Sequence, residues 1–209
     1  MMQMAELFRV TSEADQEEAA RLAGSLLKGG GLVAFPTETV YGIGVHLENP
    51  VALARLYQLK GRPAEKQLTL HIGALSDMER YGVEATPREY RLMKRFWPGP
   101  LTLILRDKKG KRIGVRWPNH PLACRILQSA AVPVGCPSAN LSGAAAPTTA
   151  EELVKGVREG IDLIIDGGRT ELGVSSTVVS AEGDVLAILR EGALLAESVR
   201  EVWAESSAF

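Results

Sequence analysis

Residues 29–42 read GGGLVAFPTETVYG, and this stretch carries the change from helix to strand to candidate site. Three glycines close whatever helix precedes them. LVAF (32–35) reads as a short buried strand that ends at Pro36. Thr37, Glu38, Thr39 and Tyr41 follow at once. Polar side chains just beyond a buried strand are costly unless bonded to something. Either the hydroxyls cap the nearby backbone of a turn, or the segment faces a ligand, as strand ends do in open α/β sheets.

Upstream, SEADQEEAARLAGSLLK (12–28) predicts a helix with Ser12 as N-cap, acidic residues in its first turns and an apolar stripe of Leu22, Ala23, Leu26 and Leu27. Downstream, Asn49 and Pro50 open a second helix. Strands are expected at 68–72, 101–106, 114–118, 132–136, 161–165, 176–180 and 184–190. Further helices are expected at 86–93, at 121–128, from Thr149 (capping box with Glu152) to Arg158, and through Leu194, Val199 and Val202. About seven strands among six helices predict an α/β domain with a mixed sheet.

The 209 residues fit one domain, 1–209, and need no disulfide or metal to hold a core. The 24 Lys and Arg against 25 Asp and Glu exclude a protein coated in basic charge, though not a local basic pocket. Cys124 and Cys136, without a CxxC pair, read as reduced core thiols. His46, His71 and His120 are too scattered for a histidine-ligated metal. No leader and no apolar run of membrane-spanning length appears, so a cytoplasmic protein without membrane contact is expected. Phosphate-loop and dinucleotide signatures fail: Gly42-Ile43-Gly44 starts like GxGxxG, but Leu47 stands at the third glycine.

Chemistry concentrates in three further segments. KGRPAEKQLTLHI (60–72) puts Lys60, Arg62 and Lys66 at a helix exit, where cations complement the dipole or receive a polyphosphate. CPSANLSG (136–143) offers Ser138, Asn140 and Ser142 after a buried strand. GVSSTVV (173–179) repeats the theme with Ser175, Ser176 and Thr177, and Arg190 ends the last strand. Together these polar strand ends and isolated cations point to a preformed pocket for an anionic ligand.

At these segments the chain resembles the YrdC-like family of threonylcarbamoyl-AMP synthases. The likeness spans about residues 14–203 and rests on GGLVAFPTETVYGIG, LYQLKGRP, FWPGPLTLIL, GVRWPNHP, PSANLSG, GVSSTVV and ILREG in order. The resemblance implies a twisted mixed β-sheet with flanking helices around a basic concave pocket. It also implies a nucleotidyltransferase that makes L-threonylcarbamoyladenylate from L-threonine, bicarbonate and ATP with Mg²⁺, releasing pyrophosphate. Its product would feed the machinery that transfers the threonylcarbamoyl group to tRNA. By similarity, the Lys-x-Arg and Ser-x-Asn signatures fall on Lys60, Arg62, Ser138 and Asn140. ATP is expected on these four residues with Lys66, Cys136, Ala146 and Arg190. Thr39, His71, Arg116 and Ser176 are expected around L-threonine, with Arg116 on its carboxylate. Glu38 receives no role, and no acid–base residue is assigned.

Three positions depart from the family pattern: Gln67 where Pro is common, Ser180 where an acid is common, and Cys136 where Ala is common. The chain resembles the short form without an additional C-terminal domain. A same-fold relative that is not a synthase and an RNA-binding module stay open as other readings. The intact Lys60, Arg62, Ser138 and Asn140 speak against the first, and the near-neutral charge speaks against the second.

Overall fold

The capping signals set most of the helix starts. The computed structural model describes residues 5–205 except 64 and 158. In chain order its elements are β1 (Glu6–Arg9), α1 (Glu13–Lys28), β2 (Val33–Pro36), β3 (Tyr41–His46), α2 (Pro50–Lys60), β4 (Leu70–His71), α3 (Asp77–Arg80), β5 (Val83–Glu84) and α4 (Pro87–Phe96). They continue as β6 (Leu101–Asp107), β7 (Arg112–Arg116), α5 (Pro121–Ala130), β8 (Val134–Gly135), α6 (Ala150–Gly156), β9 (Leu163–Asp166), β10 (Thr177–Glu182), β11 (Val185–Arg190) and α7 (Ala196–Ala204).

Ser12 Oγ accepts from the Asp15 amide at 3.1 Å while the Asp15 carboxylate accepts from the Ser12 amide at 2.9 Å, which closes a capping box on α1. In α2, Asn49 accepts from the Ala52 amide and Pro50 fills the first turn. The box expected on α6 is not closed. Thr149 caps Glu152, but the Glu152 carboxylate turns to the Thr148 amide and hydroxyl. The α6 end expected at Arg158 lies outside the described residues, as do the first four residues of the N-terminal stretch.

All eleven strands form one mixed sheet, ordered β1-β9-β2-β3-β8-β4-β7-β6-β10-β11 with β5 added beside β6. Sequence reading places eight of them. It passes over β1 and the short β5, and it passes over β3 because Gly42 and Gly44 break its pattern. Neighbours press on those glycines: a Cβ on Gly44 would meet Phe35 at 2.9 Å and Leu27 at 3.0 Å. The expected strands at 68–72 and 132–136 shrink to two residues each, β4 and β8.

Three apolar clusters cover the sheet. One joins it to α2 and α6, one to α1 and α5, and one to α4 and α7. The stripe on α1 differs from the leucine stripe expected. Ala19, Ala20, Ala23, Gly24 and Leu27 are buried, while Leu26 is 36% exposed. Small residues face α5 because the helices lie close; a Cβ on Gly24 would run into Ser129.

A candidate anion-binding cleft at the strand ends

The sheet order brings distant segments to one edge. β4 and β7 run parallel, and their register pairs His71 with Arg116. β6 runs antiparallel to β7 and parallel to β10, so Thr102 and Ser176 arrive beside the same end. The loop after β8 returns there too, with a single bridge between Gly42 and Ser138. A cleft of about 120 Å³ opens at this junction. Of the residues expected from sequence, it gathers Arg62, His71, Arg116, Cys136, Ser138, Ser176 and Arg190. Its charged lining is Arg62, Arg116 and Arg190, with no carboxylate among the described residues. Two larger grooves, about 640 and 760 Å³, lie elsewhere and mix acids with bases, so chemistry rather than size marks the site.

Each arginine is oriented by oxygen acceptors. Arg62 donates from Nε to Lys66 O at 3.2 Å and from Nη2 to Gln67 O at 2.9 Å. Arg190 donates to Ser176 O from Nε at 3.2 Å and from Nη2 at 2.8 Å. Burial, and then the nearby Arg116, lower the pKa of Arg190 from its usual value. Arg116 is 5% exposed, and its Nη2 donates to Thr39 Oγ1 at 2.8 Å. Thr37 Oγ1 donates to Val40 O at 2.8 Å, so in the Thr37–Thr39 hydroxyl pair Thr39 is the donor. Thr39 thus passes its proton inward and offers a lone pair to Arg116.

His71 Nδ1 lies 3.1 Å from Thr69 O. A carbonyl only accepts, so Nδ1 carries the proton. Burial first, then the Arg116 charge, push the ring down to about 3, so it is neutral near pH 7 with a lone pair at Nε2. Burial drives the Cys136 thiol up to about 12, which keeps it protonated beside the arginines. The hydroxyls of Thr102 and Ser176 lie 2.9 Å apart across the strand ends.

The other expected residues sit apart from the lining. Lys60 is 3% exposed and lies under the Ser138–Asn140 loop, its ammonium donating to Ser138 O at 2.5 Å and to Asn140 O. Gly61, with φ of 55°, turns the chain sharply at this point. Lys60 is left behind the loop while Arg62 reaches the cleft. Thr39 is fully buried behind Arg116, and Lys66 is exposed outside the cleft. Asn140 and Ala146 line a second cavity of about 250 Å³. Sequence reading missed Thr69 and Thr102 because both sit inside otherwise apolar strand patterns, and a lone hydroxyl in such a run was the available signal. No described cluster of three or more His, Cys, Asp or Glu is placed to hold a metal ion.

The chain is a mixed-sheet α/β protein whose strand ends bring three arginines together around a small polar cleft. Residues 25–192 match the model of the Sua5/YciO/YrdC family, described as "Telomere recombination", and the chain belongs to that family. It is 40% identical over 190 residues to the threonylcarbamoyl-AMP synthase of Bacillus subtilis, covering 86% of this chain and 55% of that protein. The structure of P. abyssi Sua5 complexed with L-threonine superimposes with a TM-score of 0.87 at 36% identity, over 97% of this chain and 62% of that one. E. coli YciO superimposes with a TM-score of 0.79 at 28% identity, over 90% and 96%. The chain thus spans between half and two thirds of the B. subtilis and P. abyssi proteins.

Proposed function

We propose that this chain makes L-threonylcarbamoyladenylate from L-threonine, bicarbonate and ATP. The carrying observation is the cleft of Arg62, Arg116 and Arg190 without a lining carboxylate, in a chain that resembles a protein solved with L-threonine. In this reading Arg116 pairs with the amino-acid carboxylate, and the Nε2 lone pair of neutral His71 accepts from a donor on the same ligand. Arg62 and Arg190 face the phosphates and offset the charge on departing pyrophosphate. Bicarbonate and the threonine amine give N-carboxythreonine and water. A carbamate oxygen then attacks the α-phosphorus as its bond to pyrophosphate breaks, which makes the reaction a nucleotidyl transfer.

At about 120 Å³ the cleft is smaller than the roughly 300–1,000 Å³ of pockets that enclose a larger ligand. The nucleotide would therefore extend beyond it toward the cavity lined by Asn140 and Ala146. Mg²⁺ enters this reading on the triphosphate, since the lining offers no carboxylate set to hold it. The acyl adenylate is labile and must be consumed by a transferase that acts on tRNA.

The test is pyrophosphate release from ATP and bicarbonate with and without L-threonine, with the nucleotide product weighed by mass spectrometry. Threonine-dependent release and a threonylcarbamoyl-AMP mass are expected. Arg62→Ala should abolish release with the fold intact. Arg116→Ala should raise the threonine requirement on the order of 10–100-fold, the size of a lost charge-assisted pair, with ATP little changed. Nucleotide binding without turnover would favour a second reading, a same-fold relative with a different reaction, which the likeness to YciO over nearly its full length supports.

A further inference from the structure

Glu38, in the PTETVYG segment, has no task in the proposed reaction. It is 3% exposed, and its Oε2 lies 2.8 Å from Arg116 Nη2, with both side chains almost wholly buried. Neither carboxylate oxygen receives a hydrogen bond from the described residues. Glu38 therefore meets Arg116 as a close ion pair without hydrogen-bond geometry, while one of the two Nη2 hydrogens goes to Thr39 Oγ1. Arg62 and Arg190 are oriented by carbonyls, and of the three cleft arginines only Arg116 has a carboxylate partner among the described residues.

A buried ion pair whose acceptor lone pairs go unused is a poor source of stability. Its effect lies in where it holds the guanidinium. Nη2 is held by Thr39 and Glu38, and Nε leans on Gly99 O at 3.4 Å. Two of the three guanidinium nitrogens are thereby tied down on a group that lines the cleft. Arg190 is a nearby like charge: burial first, and then Arg116, lower its pKa, so Glu38 and Thr39 hold Arg116 in place beside a second cation. Behind Glu38 the α5 cap residue His120 is near enough for the carboxylate to favour its charged form, yet burial outweighs this and its pKa falls. His120 therefore does not take over as the counter-ion.

We propose that Glu38 is a positioning residue: its buried carboxylate fixes the Arg116 guanidinium so that the free edge presents to the carboxylate of an amino-acid ligand. This rests on the reading of the cleft as an L-threonine site. The test compares wild type, Glu38→Gln and Glu38→Asp as full chains, with melting and circular dichroism to show that each variant folds. Side-chain NMR of nitrogen-labelled, ligand-free protein reads guanidinium rotation, with the Arg116 signals assigned by their loss in Arg116→Lys. Wild type should show resolved, slowly rotating Arg116 nitrogens, Glu38→Gln averaged ones, and Glu38→Asp an intermediate pattern.

Calorimetry with L-threonine and with ATP separately should show at least about a tenfold loss for threonine in Glu38→Gln, the scale of one charge-assisted contact, and less than about threefold for ATP. Unchanged Arg116 signals, unchanged threonine affinity, or equal losses for both ligands would overturn the assignment. Absence of threonine-dependent turnover in wild type would instead sink the proposed reaction, and the NMR comparison would still decide whether Glu38 holds Arg116.

Discussion

If the proposed reaction holds, Lys60→Met separates a lysine that touches nucleotide from one that shapes a nucleotide-binding loop. The ammonium of Lys60 reaches Ser138 O and Asn140 O from beneath, and the side chain is 3% exposed. Burial first, then the like charge of Arg62, lower its pKa from 10.5 to about 8, which corresponds to about 3 kcal/mol against the charged form. Methionine keeps the bulk and removes that penalty, but it leaves two carbonyls without a donor, at about 1–3 kcal/mol each. The terms nearly offset, so a net loss of about 0–3 kcal/mol is expected. At roughly 2–4 °C per kcal/mol for a chain of this size, the melting point should fall by less than about 12 °C.

Nucleotide affinity should suffer far more, because the loop that carries Ser138 and Asn140 loses its anchor and small displacements cost on the order of a hundredfold. The pH dependence adds a second reading. Between about 8 and 10.5 the unfolded lysine holds a proton that the folded one has released, so stability rises with pH by up to about 1.4 kcal/mol per unit. Denaturant titrations from pH 7 to 10 should show wild type gaining on Lys60→Met across that window. Wild-type nucleotide affinity in the variant, or a pH-independent gap, would refute the clamp.

His71 is held neutral in the fold, with its pKa lowered to about 3, while the unfolded ring protonates below about 6.5. The unfolded state therefore binds the extra proton between these values, and stability is lost as pH falls through them. His71→Gln should flatten that acid limb by a few kcal/mol in denaturant titrations; an unchanged limb would mean the ring is not buried as described. Gly42→Ala should destabilise by about 1–3 kcal/mol, because the new Cβ meets Cys136 Sγ, and Cys136→Ala in the same chain should restore most of it. Additive losses in that double variant would refute the contact.

Much of the fold is legible where local chemistry is strong. Ser12, Asn49 and Thr86 sit where helices start and Pro50, Pro87 and Pro121 occupy first turns, so those starts fall where expected, while the His120 cap on α5 goes unread in the sequence. What stays hidden depends on partners distant in sequence. Gly42 and Gly44 argue against a strand until Cys136, Phe35 and Leu27 are seen pressing on them. β4 keeps only Leu70 and His71 of an alternating pentapeptide, the two residues that pair with both β7 and β8. The site segments could be found as polar strand ends, yet the roles within Lys-x-Arg could not be divided. Lys60 and Arg62 look equivalent in sequence, and only the turn at Gly61 sends one beneath the loop and the other into the cleft.

A formal charge of −1 conceals the cleft because arginines in this chain are held in two different ways. On the surface they meet carboxylates: Arg55 with Asp162, Arg112 with Glu182, Arg125 with Glu13. Such pairs cancel their own field and contribute little to stability or binding. In the cleft, Arg62 and Arg190 are held by backbone carbonyls of Lys66, Gln67 and Ser176. A carbonyl fixes a guanidinium without neutralising it, so orientation and net positive charge coexist. Arg116 is the exception, and its carboxylate lies outside the lining. On the proposed reading, the repulsion between Arg116 and Arg190 is left for an anionic ligand to relieve, which is how a protein of nearly zero net charge would present an anion receptor at its strand ends.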